Sequence, residues 1–147
     1  MKKALAMALA IMCVLALAGC GADPAQEVCS WMQSLKAEDI SEVQVWNMST
    51  TEDLRAELTQ EQTAELVSLL NALTKDNFTD NSEFVGGTAE FGVALKIDGK
   101  YYNINQSIDP RGALEVGYGE KLWWIDNDAL TDFVKSVTAV DSFNAAA

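Results

Sequence analysis

The chain has 147 residues, 49% of them hydrophobic and four of them tryptophan, and this composition excludes an intrinsically disordered protein. Acidic residues outnumber basic residues by 22 to 10, and the resulting net charge of −12 argues against binding to nucleic acid or to anionic lipid head groups, both of which require a basic surface. Histidine is absent, which removes the commonest general base and the commonest metal ligand.

The first 20 residues have the organisation of an export signal. Two lysines precede 15 uninterrupted apolar residues, 4–18, and Gly19 and Cys20 follow. The apolar run is too short for a membrane-spanning helix, which requires about 20 residues. Residues 1–19 are therefore predicted to be a signal peptide that is removed from the mature chain.

The end of this segment, Leu17-Ala18-Gly19-Cys20, resembles the lipobox of bacterial lipoproteins, and the resemblance covers residues 1–20 alone. It implies that a diacylglycerol group is attached to the thiol of Cys20, and that the chain is cut between Gly19 and Cys20. Two or three acyl chains, at about 0.8 kcal/mol for each buried CH₂ group, would anchor the protein stably on the extracytoplasmic side of the cell membrane. The alternatives are an ordinary secretory signal cut near this point, or a cysteine that serves only as an apolar residue.

The mature chain is predicted to be a single domain. Residues 20–147 suffice for one core. After the two lysines of the signal are lost, eight basic and 22 acidic residues give these residues a net charge of −14. The lipidated Cys20 and a very short tether occupy 20–22, the domain spans 23–140, and 141–147 are expected to form a frayed tail. Because three residue steps span at most about 10 Å, the tether would hold the domain almost against the membrane.

Cysteine usage predicts no internal disulfide. Cys13 leaves with the signal and Cys20 is acylated, so Cys29 has no partner within the mature chain. A buried Cys29 is favoured over a reactive thiol or one that pairs with another molecule, because free cysteine is among the most buried residue types.

The N-terminal half is predicted to contain two helices and a strand. Asp23 and Pro24 suit the N-cap and first residue of a helix over 24–37. Alternation of apolar and polar residues indicates a strand over 40–48, with Trp46 on a side that is expected to be an exposed edge. A capping box at Thr59 and a stripe of leucines predict a helix over 60–74.

The segment 75–88 is polar and acidic and is predicted to be a solvated loop. Oxygen-rich loops of this kind suit calcium, but the order of ligands and the glycine of an EF-hand are missing. The loop is therefore expected to be anchored by Phe78 or Phe84 and to hold no metal.

The C-terminal half predicts an antiparallel β-meander of four strands over about 88–126. Asp98-Gly99 favours a two-residue type I′ turn, and Gly119-Glu120 fits a type II′ turn. Between them, Pro110-Arg111-Gly112 suits a three-residue loop that sets Ile108 opposite Leu114. The three turns keep one apolar face in register along the meander.

The predicted fold class is α+β in two layers. The meander is covered on its apolar face by two or three helices, 24–37, 60–74 and 128–139, and the strand 40–48 is a candidate extra strand. No internal repeat or linker indicates a second domain.

The other face of the meander is polar with a few aromatic residues. It collects Tyr101, Asn103, Asn105, Glu115 and Trp124, and open antiparallel sheets often leave one face in water. Because aromatic residues dominate interface energetics, these five residues are the candidate binding face. The alternative is that the aromatic residues pack beneath the N-terminal helix or the first strand.

No catalytic motif occurs in the chain: there is no Ser-x-x-Lys, Gly-x-Ser-x-Gly, P-loop, Rossmann glycine pattern or Cys-x-x-Cys. The sequence therefore predicts no catalytic residue, no metal and no cofactor. It favours a non-enzymatic binding or accessory domain with a protein or glycan partner at the cell surface and no nucleic acid. The alternatives are a hydrolase of cell-wall or glycan substrates, with Glu90 and Glu115 as its carboxylates, and a purely structural envelope component.

The anchor leads to a direct prediction. Intact-mass analysis of the membrane fraction should find a chain that begins at an acylated Cys20 and lacks residues 1–19. A Cys20→Ser variant should lose both the acylation and the cleavage at this bond. Cleavage of that variant between residues 19 and 20, with release of the soluble protein, would show that ordinary signal peptidase processes the chain.

Overall fold

The computed structural model of the chain describes residues 23–83, 88–108 and 114–145, with side chains up to residue 143. The predicted signal peptide, its cleavage site and Cys20 lie outside the described residues. The described helices are α1 Pro24–Ser34, α2 Gln60–Asn71, α3 Asp128–Val137 and α4 Val140–Ala145. The described strands are β1 Ile40–Asn47, β2 Leu54–Glu57, β3 Phe78–Asp80, β4 Phe91–Ile97, β5 Lys100–Gln106, β6 Leu114–Tyr118 and β7 Lys121–Ile125.

The strands form one antiparallel sheet in the order β2-β1-β4-β5-β6-β7-β3. The α+β class is confirmed, but the sheet has seven strands and not the four of the predicted meander. The strand predicted over 40–48 is β1, and it lies between β2 and β4, so it is not an edge. The two edge strands, β2 and β3, are four and three residues long, too short for alternation to indicate a strand. β3 lies within the segment 75–88 that was predicted to be a loop, and its Phe78 is buried.

One face of the sheet, the inner face, carries the core. Its buried side chains come from all four meander strands, from β1 and from β3, and they form one cluster with the apolar sides of α1, α2 and α3. The strand members are Ile40, Val43, Val45, Phe78, Val93, Leu95, Ile104, Leu114, Val116, Trp123 and Ile125. The principal helix members are Val28, Met32, Leu66, Leu70, Leu130 and Val134. The chain therefore packs as a layer of helices on one face of a sheet.

Two of the three predicted turns have the predicted register. Asp98 and Gly99 have φ values of +49° and +76°, as a type I′ turn requires, and Leu95 pairs with Tyr102. Gly119 has a φ of +63°, and Val116 pairs with Trp123. Both hairpins are confirmed.

The register predicted between β5 and β6 is wrong by two residues. Leu114 pairs with Gln106 and not with Ile108, which is 37% exposed. A shift by two residues keeps every side chain on its own face, so the alternating pattern is compatible with either register. The residues 109–113, which include the predicted three-residue loop, lie outside the described part of the chain.

Strand β1 contains a β-bulge at Ser41, which shifts its register with β4. Ile40 pairs with Ile97 and Glu42 with Lys96, so that Ser41 is the extra residue, and its Oγ donates to the Lys96 carbonyl at 3.2 Å. The bulge lets Ile40 enter the core while Glu42 points to the opposite face.

Helix α1 is attached to the rest of the domain at its N-cap residue, Asp23. The Asp23 carboxylate accepts from the backbone N–H of Ala25 at 3.1 Å and from Lys75 Nζ at 2.7 Å, and the bond from Lys75 holds its pKa below the usual range. The predicted N-cap is therefore confirmed. Further along the helix, the Trp31 ring lies 4.8 Å from the rings of both Tyr102 and Tyr118.

The ends of the helices differ from the predicted bounds. α1 stops at Ser34 because Leu35 is extended, and Asn71 Nδ2 donates to the carbonyls of Met32 and Leu35 at 2.9 and 3.1 Å. α2 and α3 also end two or three residues earlier than expected. Residues 141–145, predicted to begin a frayed tail, continue as helix α4, and 146–147 lie outside the described residues.

Cys29 lies in the core beneath α1. It is 1% exposed, and its Sγ donates to the Leu73 carbonyl at 3.6 Å. Burial raises the pKa of its thiol. The prediction of a buried cysteine is confirmed.

Candidate functional site

The face of the sheet opposite the helices, here called the outer face, stays accessible. Tyr101 is 48% exposed, Asn103 is exposed, and Asn105, Glu115 and Trp124 are half-buried. All five belong to the predicted binding face, and none of them lies in the core. Among the described residues, the alternative that the aromatic residues pack beneath the first helix or the first strand is therefore wrong, because α1 lies on the inner face and β1 belongs to the same sheet.

Strand pairing aligns one outer-face residue from every strand in a single row. Trp46 pairs with a residue of β2 on one side and with Gly92 on the other, and the pairing continues through Asn105 and Glu115 to Trp124. The complete row is Arg55, Trp46, Gly92, Asn105, Glu115, Trp124 and Thr79. Residues that are up to 78 positions apart in the chain thus meet on one surface.

Gly92 allows two side chains of this row to approach each other. A Cβ atom at this position would lie 2.7 Å from Asn105 Oδ1, 2.8 Å from the Ile104 carbonyl oxygen and 3.0 Å from Cζ2 of Trp46. Only a residue without a side chain fits there, because the carbonyl oxygen belongs to a paired strand and cannot move away. Gly92 therefore brings the Trp46 ring and the Asn105 amide together above β4.

An open groove of about 510 Å³ extends from this point over β4. Ala94 forms part of its floor and Met48 stands at its rim. The walls carry the aromatic residues Trp46 and Tyr101, the amides Gln44, Asn103 and Asn105, and Arg55. A volume of this size lies within the range of about 300–1,000 Å³ that small-ligand sites occupy.

A cluster of polar contacts fixes Tyr101 at one end of the groove. Its hydroxyl donates to Glu42 Oε2 at 3.3 Å, and Lys96 Nζ lies 3.4 Å from the same oxygen and 5.3 Å from the centre of the Tyr101 ring. Gln44 Nε2 donates to the other oxygen of Glu42. The bond from Gln44, and then that from Lys96, keep the pKa of Glu42 below its usual range, so this carboxylate is ionised at neutral pH.

The structure divides the predicted binding face into two parts. Tyr101, Asn103 and Asn105 line the groove, whereas Glu115 and Trp124 lie further along the row and do not. Trp124 lines a separate concavity with residues 80–83, whose Asp80 is paired with Lys121.

Sequence reasoning missed the β1 and β2 wall of the groove, which consists of Gln44, Trp46, Met48 and Arg55. Alternation placed Trp46 on the side of its strand that was expected to be exposed, but it gave no indication that β4 would be the neighbouring strand. A signal was present in Gly92, a glycine in the middle of a strand, because such a residue often marks a close approach of another group.

Glu115 is the one carboxylate of the row, and burial raises its pKa above the usual range. Its partners on the neighbouring strands are Asn105 and Trp124. Neither is acidic, so the row does not supply the second carboxylate that a glycosidase requires about 5–9.5 Å away.

Comparisons of the chain with protein-family models, with curated proteins and with solved structures found no match. Within residues 23–83, 88–108 and 114–145, no group of three or more acidic or cysteine side chains is placed to hold a metal ion. In the same part of the chain, no helix has the length and apolar character to cross a membrane.

The close approach at Gly92 can be tested with a matched pair of glycines. Gly92→Ala should lower the free energy of unfolding by about 1–3 kcal/mol, because the new methyl group overlaps the Ile104 carbonyl and Asn105. Gly117→Ala lies on the same face with nothing within 4 Å of the new Cβ, and it should stay within about 0.5 kcal/mol of the wild type. Chemical denaturation measures both values, and equal values for the two variants would contradict the described packing.

The raised pKa of Glu115 predicts how stability depends on pH. The folded chain holds this proton more tightly than the unfolded chain does, so the folded state loses stability as the pH rises from about 4.5 through the raised pKa. Glu115→Gln stays neutral and should remove this loss. Its stability relative to the wild type should therefore increase between about pH 4 and pH 7 in denaturation experiments. Glu120→Gln, in the exposed β6–β7 turn, is the control, and a relative stability of Glu115→Gln that does not change with pH would contradict the burial of this carboxyl.

Proposed function

We propose that the protein is a lipid-anchored lipoprotein of the extracytoplasmic membrane surface, and that its domain binds a partner there without catalysing a reaction. The lipobox-like tetrad that ends at Cys20 supports the anchor. One observation supports binding above all: the described helices α1, α2 and α3 pack on the inner face of the sheet, and the described part of the outer face has an open groove with Trp46 and Tyr101 in its walls. Accessible aromatic side chains in a concave site are typical of binding surfaces.

The attachment of α1 supports a position close to the membrane. Asp23 caps α1 and is paired with Lys75, so the chain belongs to the folded domain from this residue onward. Three residue steps lead back to Cys20 and span at most about 10 Å. An acylated Cys20 would therefore hold the domain against the bilayer, and the partner would be a molecule of the membrane-proximal envelope.

A hydrolase of glycans is the second candidate, and the raised pKa of Glu115 is the observation in its favour. A half-buried acid with a raised pKa could protonate a leaving group. Its strand neighbours provide no second carboxylate, and Glu90 is exposed in the segment before β4. We therefore favour binding without turnover. A glycan panel that shows hydrolysis by the wild type and none by Glu115→Gln would reverse this preference.

The binding proposal can be tested by cosedimentation with envelopes isolated from the cells that express the protein. A soluble chain that begins at residue 21 should cosediment with the envelopes, and a Trp46→Ala, Tyr101→Ala double variant should lose most of this binding. Val140→Ala removes an exposed apolar side chain of α4 and should bind like the wild type. Circular dichroism verifies that each variant is folded. A folded double variant that cosediments as well as the wild type would exclude the groove as the contact surface.

A further inference from the structure

We infer that the groove binds an uncharged, hydroxyl-rich ligand, and that this ligand is a short segment of a neutral glycan chain. The inference rests on the proposed binding function and adds the chemical class of the partner. Three properties of the groove lead to it: the charge of its lining, the supply of amide groups, and the spacing of its two aromatic rings.

The lining of the groove is nearly free of charge although the protein is strongly acidic. The whole chain has 22 acidic residues, yet none of the described residues that line the groove is Asp or Glu. The charged residue of the lining is Arg55, and its Nε and Nη2 both donate to Asp53 Oδ2 at 3.1 Å. An anionic ligand would be repelled by the net charge of the protein. A cationic ligand would find one carboxylate at the end of the groove, that of Glu42, which already accepts hydrogen bonds from Tyr101 and Gln44 and is paired with Lys96. A neutral ligand is not repelled by the net charge and does not require a free carboxylate.

Hydrogen bonding in the groove depends on side-chain amides. The backbone groups of β4, beneath the groove, are engaged in strand ladders with β1 and β5, so recognition above this strand falls to Gln44, Asn103 and Asn105. An amide group both donates and accepts, as a hydroxyl group does, and the two types of group can therefore pair in either direction. The Oδ1 atom of Asn105 is buried and receives no hydrogen bond from any described residue. Leaving this oxygen unpaired is costly, and a turn of the Asn105 side chain toward the groove would let a ligand hydroxyl donate to it.

The aromatic rings suit the apolar C–H faces of sugar rings. An aromatic face attracts the partly positive hydrogens of such a C–H face, while the hydroxyls at the rim of the sugar remain free to reach the amides. The Tyr101 ring is prepared for this contact, because Glu42 holds its hydroxyl and Lys96 lies over the ring. An ordered ring loses little conformational entropy when the ligand binds.

The spacing of the two rings indicates an oligosaccharide and not a monosaccharide. Trp46 lies on β1 and Tyr101 on β5, with one strand between them, and the strand register places them four residues apart along the strand direction. Strand geometry then separates their Cα atoms by about 16 Å. A ligand that contacts both rings must therefore extend over several sugar units.

A second copy of this chain or another protein fits the groove less well. Two copies with a net charge of −14 each would repel one another. A stable protein interface buries about 800 Å² on each side around an apolar centre, whereas this groove is lined between its two aromatic residues by Ala94 and amide side chains. Binding of a protein in this groove would therefore contradict the inference.

The test is isothermal titration of the soluble chain with purified oligosaccharides. The panel contains neutral tetrasaccharides of glucose, mannose, galactose and N-acetylglucosamine units, the matching monosaccharides, and tetragalacturonate as the anionic probe. At least one neutral tetrasaccharide should bind, more tightly than its monosaccharide and than the anionic probe. Tyr101→Ala should weaken this binding at least tenfold, Tyr101→Phe should retain it because the ring remains, and Val140→Ala should have no effect.

Each other outcome overturns the inference. Absence of binding to every neutral tetrasaccharide, a preference for tetragalacturonate, or equal affinity of Tyr101→Ala and the wild type would each do so. If envelope binding depends on Trp46 and Tyr101 while every neutral glycan fails and a purified envelope protein binds instead, the ligand is a protein. In that case the proposed binding function stands and the glycan inference fails. If the wild-type chain binds neither the envelopes nor any neutral glycan, the proposed binding function and the glycan inference both fail.

Discussion

Strand β1 pairs with β4 across more than 40 intervening residues, and both faces of the sheet depend on this contact. On the inner face the pairing places Val43 beside Leu95 and Val45 beside Val93, which completes the core under the helices. On the outer face it places Trp46 over Gly92. β1 also pairs with β2, and Arg55 of β2 lines one side of the groove. The same backbone contacts that complete the core therefore form the proposed binding surface.

The two faces of the sheet differ in the kind of contact they can make. The inner face is apolar and is covered by α1, α2 and α3, and the burial of its side chains stabilises the fold. The outer face has small residues at its centre, amides and aromatic rings around them, and no carboxylate among the described residues that line its groove. In a protein of such high negative charge, this local neutrality is what favours a neutral ligand. If Cys20 is acylated as proposed, the short connection between it and the cap of α1 would place the proposed ligand near the membrane surface.

Local sequence signals predicted the parts of the fold that depend on local contacts. The Asp98-Gly99 and Gly119-Glu120 turns set the registers of their hairpins, and Asp23 and Thr59 begin helices as expected. The loop between β5 and β6 did not determine its register, because a shift by two residues keeps the same faces. The pairing of β1 with β4 is not encoded by any turn. For this reason the sequence located Tyr101, Asn103 and Asn105 on an open face but could not bring Trp46 and Arg55 to them.

The most direct test of the groove as the contact surface is a nuclear magnetic resonance titration of the four tryptophan indole N–H signals with the neutral tetrasaccharide that binds most tightly. Trp46 lines the groove, whereas Trp31 and Trp123 belong to the helix-covered side of the sheet. The indole signal of Trp46 should shift together with the side-chain amides of Gln44, Asn103 and Asn105. The signals of Trp31 and Trp123 should remain in place. Shifts confined to Trp31 or to the helices, with Trp46 unchanged, would contradict the assignment of the binding site.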